Sequence, residues 1–181
     1  EDPAKAMEIL EQGFRATGER VAGLGMELAT LYEREGMIDE AIVLYDRMIR
    51  ANAKSDLLAN NLAMLLATHR TDEESLARAR ELTRSFATST NAAFLNTFGW
   101  VRLQGGDTDI AVPILSKAVE ISPQSAIMRY HLGMALLEQG ARESAKSELT
   151  RALELDDEFP GADQARQALA GISDSGASQT G

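Results

Sequence analysis

Apolar residues recur three or four positions apart along most of the chain, in runs broken by short polar turns. Residues at that spacing share one face of a 3.6-residue helix, so the pattern predicts a succession of amphipathic helices. Leu58, Leu62, Ala63, Leu65 and Leu66 trace one stripe, and Leu76, Ala79, Leu82 and Phe86 trace another. Asp2-Pro3-Ala4 opens an earlier helix carrying Ala6, Met7, Leu10 and Phe14. Proline is well placed just inside a helix start, where its missing N–H has no partner to lose. Pro160–Ile172 reads as one amphipathic helix through Ala162, Ala165, Leu169 and Ile172. Ser173–Gly181 is Ser/Gly-rich with nothing to bury, which predicts a disordered tail.

The stripes repeat. Gly36, Gly106 and Gly140 each lie between two amphipathic runs; Gly106 and Gly140 are 34 residues apart, and Gly36 and Gly106 are 70 apart. In Ala92–Ser125 the residues Leu95, Phe98, Gly99, Ala111, Leu115, Ala118 and Pro123 hold fixed offsets. The same offsets fall on Arg129, Leu132, Gly133, Ala145, Leu149, Ala152 and Asp157 in Ala126–Phe159. In Ala22–Ser55 they fall on Gly25, Leu28, Ala29, Ala41, Tyr45, Met48 and Ala53. A period of 34 with small residues where two helices cross resembles the tetratricopeptide repeat. Gly or Ala at the crossing lets the backbones approach, and the fit is looser at Met48, which replaces the last small residue. The resemblance implies an all-α fold, a right-handed superhelical solenoid of helix–turn–helix repeats closed by a C-terminal capping helix. Its parts are repeats at 22–55, 56–91, 92–125 and 126–159, the capping helix at 160–172 and the tail at 173–181. A cap is expected because a last repeat otherwise exposes its apolar face.

Two places depart from the period. Aligning Ala79 with Ala41 and Ala111 needs about four extra residues in His69–Ser75 and about two fewer after Phe86, as a surface-loop insertion would give. Thr71-Asp-Glu-Glu there reads as a helix start, with a capping side chain and acids in the first turn. Residues 1–21 read either as the second helix of a truncated repeat, with further repeats before Glu1, or as an N-terminal cap. Pro113 falls inside a second helix and predicts a modest bend.

Charge and composition narrow the function. The 181 residues carry 18 basic and 28 acidic side chains, a net charge of -10, which repels nucleic acid. Cysteine is absent, so disulfides, thiol catalysis, zinc ribbons and iron–sulfur ligation are all excluded. No apolar run is long enough to span a bilayer. His69 and His131, the only histidines, lie on different repeats, and no nucleophile–base or metal-binding spacing surrounds either. Gly105-Gly106-Asp107 lacks the Lys of a phosphate loop, and Asp156-Asp157-Glu158 lacks the alternating ligands of a calcium loop. No catalytic residue, cofactor or metal is expected, and the chain is not read as an enzyme.

The resemblance places binding on the first helix of each repeat, which lines the concave face. Carried over position by position, that face holds Met26, Thr30 and Glu33; Asn60, Asn61 and Met64; Asn96, Trp100 and Leu103; and Tyr130, Met134 and Leu137. Asn60 and Asn96 are expected to be exposed there, while Trp100 and Met134 either line the groove or pack between adjacent helices. Family members that capture C-terminal carboxylates use Lys and Arg with Asn; Asn61 matches one such position, but the basic partners are missing. The function implied is a protein–protein interaction scaffold that takes a peptide in its groove. The alternative is an assembly element that stacks end to end, self-associating through the edge at Pro3–Thr17. The runs Asn60–Ala63, Phe94–Trp100, Ala111–Ala118 and Tyr130–Leu136 also resemble those of large bacterial tetratricopeptide proteins. Some of these are exported lipoproteins of exopolysaccharide and secretion systems, which favours an exported or periplasmic location over a cytoplasmic one.

Overall fold

A computed structural model describes residues 2–19, 21–52 and 54–177, in two compact units, Glu1–Leu82 and Thr83–Gly181. Among the described residues the structure is helical with no strand. The first unit contains α1 (Pro3–Ala16), α2 (Ala22–Arg34), α3 (Ile38–Ala51), α4 (Asp56–His69) and α5 (Glu73–Leu82). The second contains a 3-10 turn (Arg84–Thr88), then α6 (Ala92–Gln104), α7 (Thr108–Ile121), α8 (Ala126–Glu138), α9 (Arg142–Leu155) and α10 (Ala162–Ala177). The boundary between the units falls inside the irregular stretch 56–91.

Local chemistry sets the helix ends. Five starts carry side-chain caps: Asp2 accepts from the Ala4 N–H (3.0 Å), Ser55 from Leu58 (3.4 Å), Asp72 from Ser75 (2.8 Å), Asn91 from Ala93 (2.9 Å) and Ser125 from Met128 (3.4 Å). Bonding to the Ser75 N–H holds the Asp72 carboxyl below its ordinary range. The three periodic glycines end the first helices of their pairs. Gly36, Gly106 and Gly140 have φ of 74°, 82° and 85°, a left-handed conformation that needs no Cβ. The residue after each glycine donates its N–H back into the helix: Met37 to the Tyr32 carbonyl (2.8 Å), Asp107 to Arg102 (2.9 Å) and Ala141 to Leu136 (2.9 Å). The same helix stop is built three times.

Packing follows the small residues. Ala41, Ala79, Ala111 and Ala145 are all 0% exposed, so the second helix of the irregular stretch holds the same register as the others. In the second unit, a Cβ on Gly99 would lie 2.6 Å from Leu115 Cγ, and one on Gly133 would lie 2.7 Å from Leu149 Cγ. In the first unit the bulk of Met48 is matched across the crossing. A Cβ on Gly25 would meet Met48 Sδ at 2.3 Å, so glycine yields the space that alanine yields elsewhere. Phe86 on the 3-10 turn is buried and stacks on Phe94 at 4.6 Å and 13°, which anchors the shortened connection.

The closing helix differs from its expected bounds. It begins at Ala162, after Gly161 turns the chain at φ 110°, and runs through Ala177, into the segment expected to be disordered. Each added residue extends a formed helix at the cost of fixing only itself, and Ser173 Oγ bonds back to the Leu169 carbonyl at 3.0 Å. Residues 178–181 of the expected tail lie outside the described residues. Helix α7 continues through Pro113, whose side chain is exposed.

Candidate functional site

In the first unit, α2 and α4 are the first helices of their pairs, and of their expected residues Met26, Asn60 and Asn61 come into contact. Asn61 Nδ2 donates to the Tyr45 hydroxyl at 3.4 Å and reaches Met26 Sδ at 3.9 Å. Asn60 Nδ2 donates to Asn61 Oδ1 at 3.2 Å. That leaves Asn60 Oδ1 buried with no donor. Thr30 is exposed, its hydroxyl bonded back to the Met26 carbonyl at 3.0 Å, and Met64 is half-buried with its sulfur accepting from the Thr68 hydroxyl at 3.7 Å. Burial pushes the Tyr45 phenol up to about 12; the Glu33 charge adds to the rise and the Asn61 bond opposes it. Burial also raises the Glu33 carboxyl.

Tyr45 was not foreseen as part of this surface. The signal was present, because Tyr45 stands where the later repeats have Leu115 and Leu149. A hydroxyl at an otherwise aliphatic crossing needs a polar neighbour, and Asn61 supplies it.

The second unit corrects the expectation of exposure. Asn96 is 4% exposed, Trp100 7% and Tyr130 6%, and all three lie in a cluster around His131, itself 3% exposed. Trp100 stacks on His131 with ring centres 4.1 Å apart at 21°, and Tyr130 lies 5.5 Å from Phe159. His131 Nδ1 donates to Asn96 Oδ1 at 2.9 Å. Burial lowers the His131 pKa to about 3. The physical reason for the burial is reach: α6 and α8 are neighbouring first helices, and large rings on facing positions meet each other before they meet solvent. For Trp100 the packing alternative holds. Leu103, Met134 and Leu137 remain half-buried. His131 and Asn96 are 35 residues apart, one period plus one, so the pair was hidden from a comparison of strictly equivalent positions.

Among the described residues no group of three or more His, Asp or Glu side chains could hold a metal ion. No helix among the described residues is long and apolar enough to cross a membrane. What the surfaces offer is hydrogen-bonding amides, thioethers and leucine, the materials of reversible contact.

The tetratricopeptide repeat family model matches residues 102–170, which run from α6 into α10. Over those residues the chain is similar to the tetratricopeptide repeat, and its fold is that of an all-α tetratricopeptide solenoid. No curated protein matches it by sequence. Solved structures match it by fold. TTC0263, a thermophilic TPR protein of Thermus thermophilus, superposes with a TM-score of 0.69 at 20% identity, over 83% of this chain and 80% of that one. YrrB, described as a TPR protein with an unusual peptide-binding site, gives 0.58 at 18% identity, over 92% and 82%. MamA MSR-1 C2 gives 0.57 at 25% identity, over 85% and 86%. Tetratricopeptide-repeat proteins are in general scaffolds for protein interaction, and the likeness in fold supports that broad role here.

Proposed function

We propose that the chain is a non-catalytic scaffold that binds a peptide or partner segment along the outward faces of its first helices. The observation that carries this is the row on α2 and α4. Met26, Asn60 and Asn61 touch one another between α2 and α4, and one buried amide oxygen there has no donor among the described residues; Thr30 and Met64 stand one turn further along the same helices. A buried acceptor without a donor is costly, and turning the half-buried Asn60 amide outward to a peptide N–H would relieve it. Each Asn also offers donors and acceptors to a peptide backbone, while Met fits apolar side chains of varied shape. On the second unit Met134 and Leu137 remain half-buried on α8 and can add apolar contact, while Leu103 packs against the Leu115 and Leu132 core.

The test begins with peptides selected from a random library on the intact protein. Thr30→Trp with Met64→Glu fills and charges the surface without touching a buried alanine crossing. Selected peptides should then lose at least about tenfold in affinity, or about 1.4 kcal/mol. Unchanged affinity in a variant of normal helicity would move binding elsewhere.

One observation favours the assembly reading as a second possibility. Helix α1 packs on α2 as a second helix would, yet Met7 and Leu10 are only half-buried, beside Ile9, which is 60% exposed. The residues one period on from Met7 and Leu10, Ala41 and Leu44 on α3, are at most 3% exposed. If α1 joins copies, Ile9→Asp lowers the sedimenting mass; a wild-type monomer at high concentration would end this reading.

A further inference from the structure

The partner's chemistry can be narrowed from the polar groups that the first unit leaves unanswered. Glu33 sits one helical turn beyond Thr30 on α2, half-buried, and among the described residues it has no ion-pair partner. Burial alone raises its carboxyl, with no neighbouring cation to lower it. The charge needed to answer it is missing from both first helices. Helix α4 contains neither Lys nor Arg, and the single Arg of α2, Arg34, lies beside Glu35 at 3.6 Å. On α4 the polar atom left without a partner among the described residues is likewise an acceptor, Asn60 Oδ1. Residues 1–82 as a whole carry 16 acidic side chains against 10 basic ones. A surface made of unanswered acceptors in a negative field repels carboxylates and attracts donors that carry positive charge.

We propose that the segment bound on the first unit is cationic, with a Lys or Arg side chain paired to Glu33 and backbone N–H groups directed at the Asn60 side. The proposal rests on the groove reading above and specifies its ligand. It is the inverse of carboxylate capture: a chain terminus presenting a carboxylate would meet Glu33 and find no cation. The pair is strengthened by partial burial, because a half-desolvated carboxylate is less screened than one in open solvent. The interaction is present above the Glu33 pKa and is lost as pH falls through it, since protonation removes the charge that the cation meets.

The experiment uses the whole chain and two labelled peptides of the same Ala/Leu framework, capped at both ends, one bearing Lys at three positions and its twin bearing Glu. Fluorescence anisotropy measures both against wild type, Glu33→Gln and Glu120→Gln. The last makes the same change of net charge on the exposed face of α7. The Lys peptide should bind wild type at least about tenfold more tightly than its twin. Glu33→Gln should remove most of that preference and much of its salt dependence, and Glu120→Gln should leave both intact. The cationic proposal is overturned if the twins bind alike, if neither binds, or if Glu33→Gln keeps the full preference. The groove reading is tested separately by Thr30→Trp with Met64→Glu. If that variant retains the Lys preference, the binding surface is wrong; if it loses binding while Glu33→Gln does not, only the cationic partner is wrong.

Discussion

Gly133→Ala adds one methyl group at a helix crossing, and the geometry fixes what the methyl meets. Its carbon would lie 2.7 Å from Leu149 Cγ, 2.8 Å from Leu149 Cδ2 and 3.3 Å from the Leu149 backbone nitrogen. Leu149 is 0% exposed, so it has no open space in which to retreat. Overpacking of this kind costs about 1–3 kcal/mol. Alanine in a helix interior returns about 0.8–1.0 kcal/mol relative to glycine, leaving a net loss of about 0–2 kcal/mol. Gly171 on α10 provides the contrast, because a Cβ there meets nothing within 4 Å. Gly171→Ala should therefore stabilise by about 0.5–1 kcal/mol through propensity alone. The same chemical change at two helical glycines thus differs by about 1–3 kcal/mol and in sign. Urea denaturation followed by circular dichroism measures the difference, which corresponds to several degrees in Tm for a chain of this size. If both variants were stabilised equally, the close α8–α9 crossing would be wrong, and with it the repeat register.

Lowering the pH should destabilise the second unit through His131, which is neutral in the fold at a pKa of about 3. The unfolded chain takes up the proton first, near pH ~6.5. Stability is therefore full above that value and falls from there toward pH ~3, by at most roughly 5 kcal/mol. Trp100 fluorescence would follow this loss, and His131→Asn should flatten it relative to wild type. Trp100→Ala removes the ring stacked on His131 and should cost about 3–5 kcal/mol, measured by denaturant titration. Asn91→Ala deletes the 2.9 Å cap at the start of α6 and should cost about 1 kcal/mol by the same assay; no change would mean the cap adds nothing.

Regular elements were legible in the sequence where one residue type has one physical reason. Gly36, Gly106 and Gly140 had to lie in turns, and each proves to be a left-handed helix stop. Ala41, Ala111 and Ala145 had to lie at crossings, and each is sealed from solvent. The insertion before Ala79 is not the surface loop the pattern suggests: the extra residues lengthen the end of α4 and the start of α5, and the connection at 70–72 is as short as in the other pairs. The end of α10 was misjudged because Ser and Gly are weak helix formers, and propensity was weighed without the turns already built before them. The site was harder to read. Position within the repeat says which face a residue occupies, but its exposure depends on what stands opposite. Asn60 and Asn96 hold equivalent positions, yet Asn96 is buried against His131 while Asn60 keeps an unmet acceptor. The Met48–Gly25 exchange was illegible for the same reason, since two departures from the pattern cancel only in three dimensions.

The most direct test of the groove is a titration of the 15N-labelled protein with a library-selected peptide, read as amide chemical-shift changes. The largest changes should fall on α2 and α4 around Met26, Thr30, Asn60, Asn61 and Met64, with the side-chain amide of Asn60 among them. Changes concentrated instead on the second helices α3 and α5, or on the exposed edge of α1, with α2 and α4 unmoved, would contradict the account.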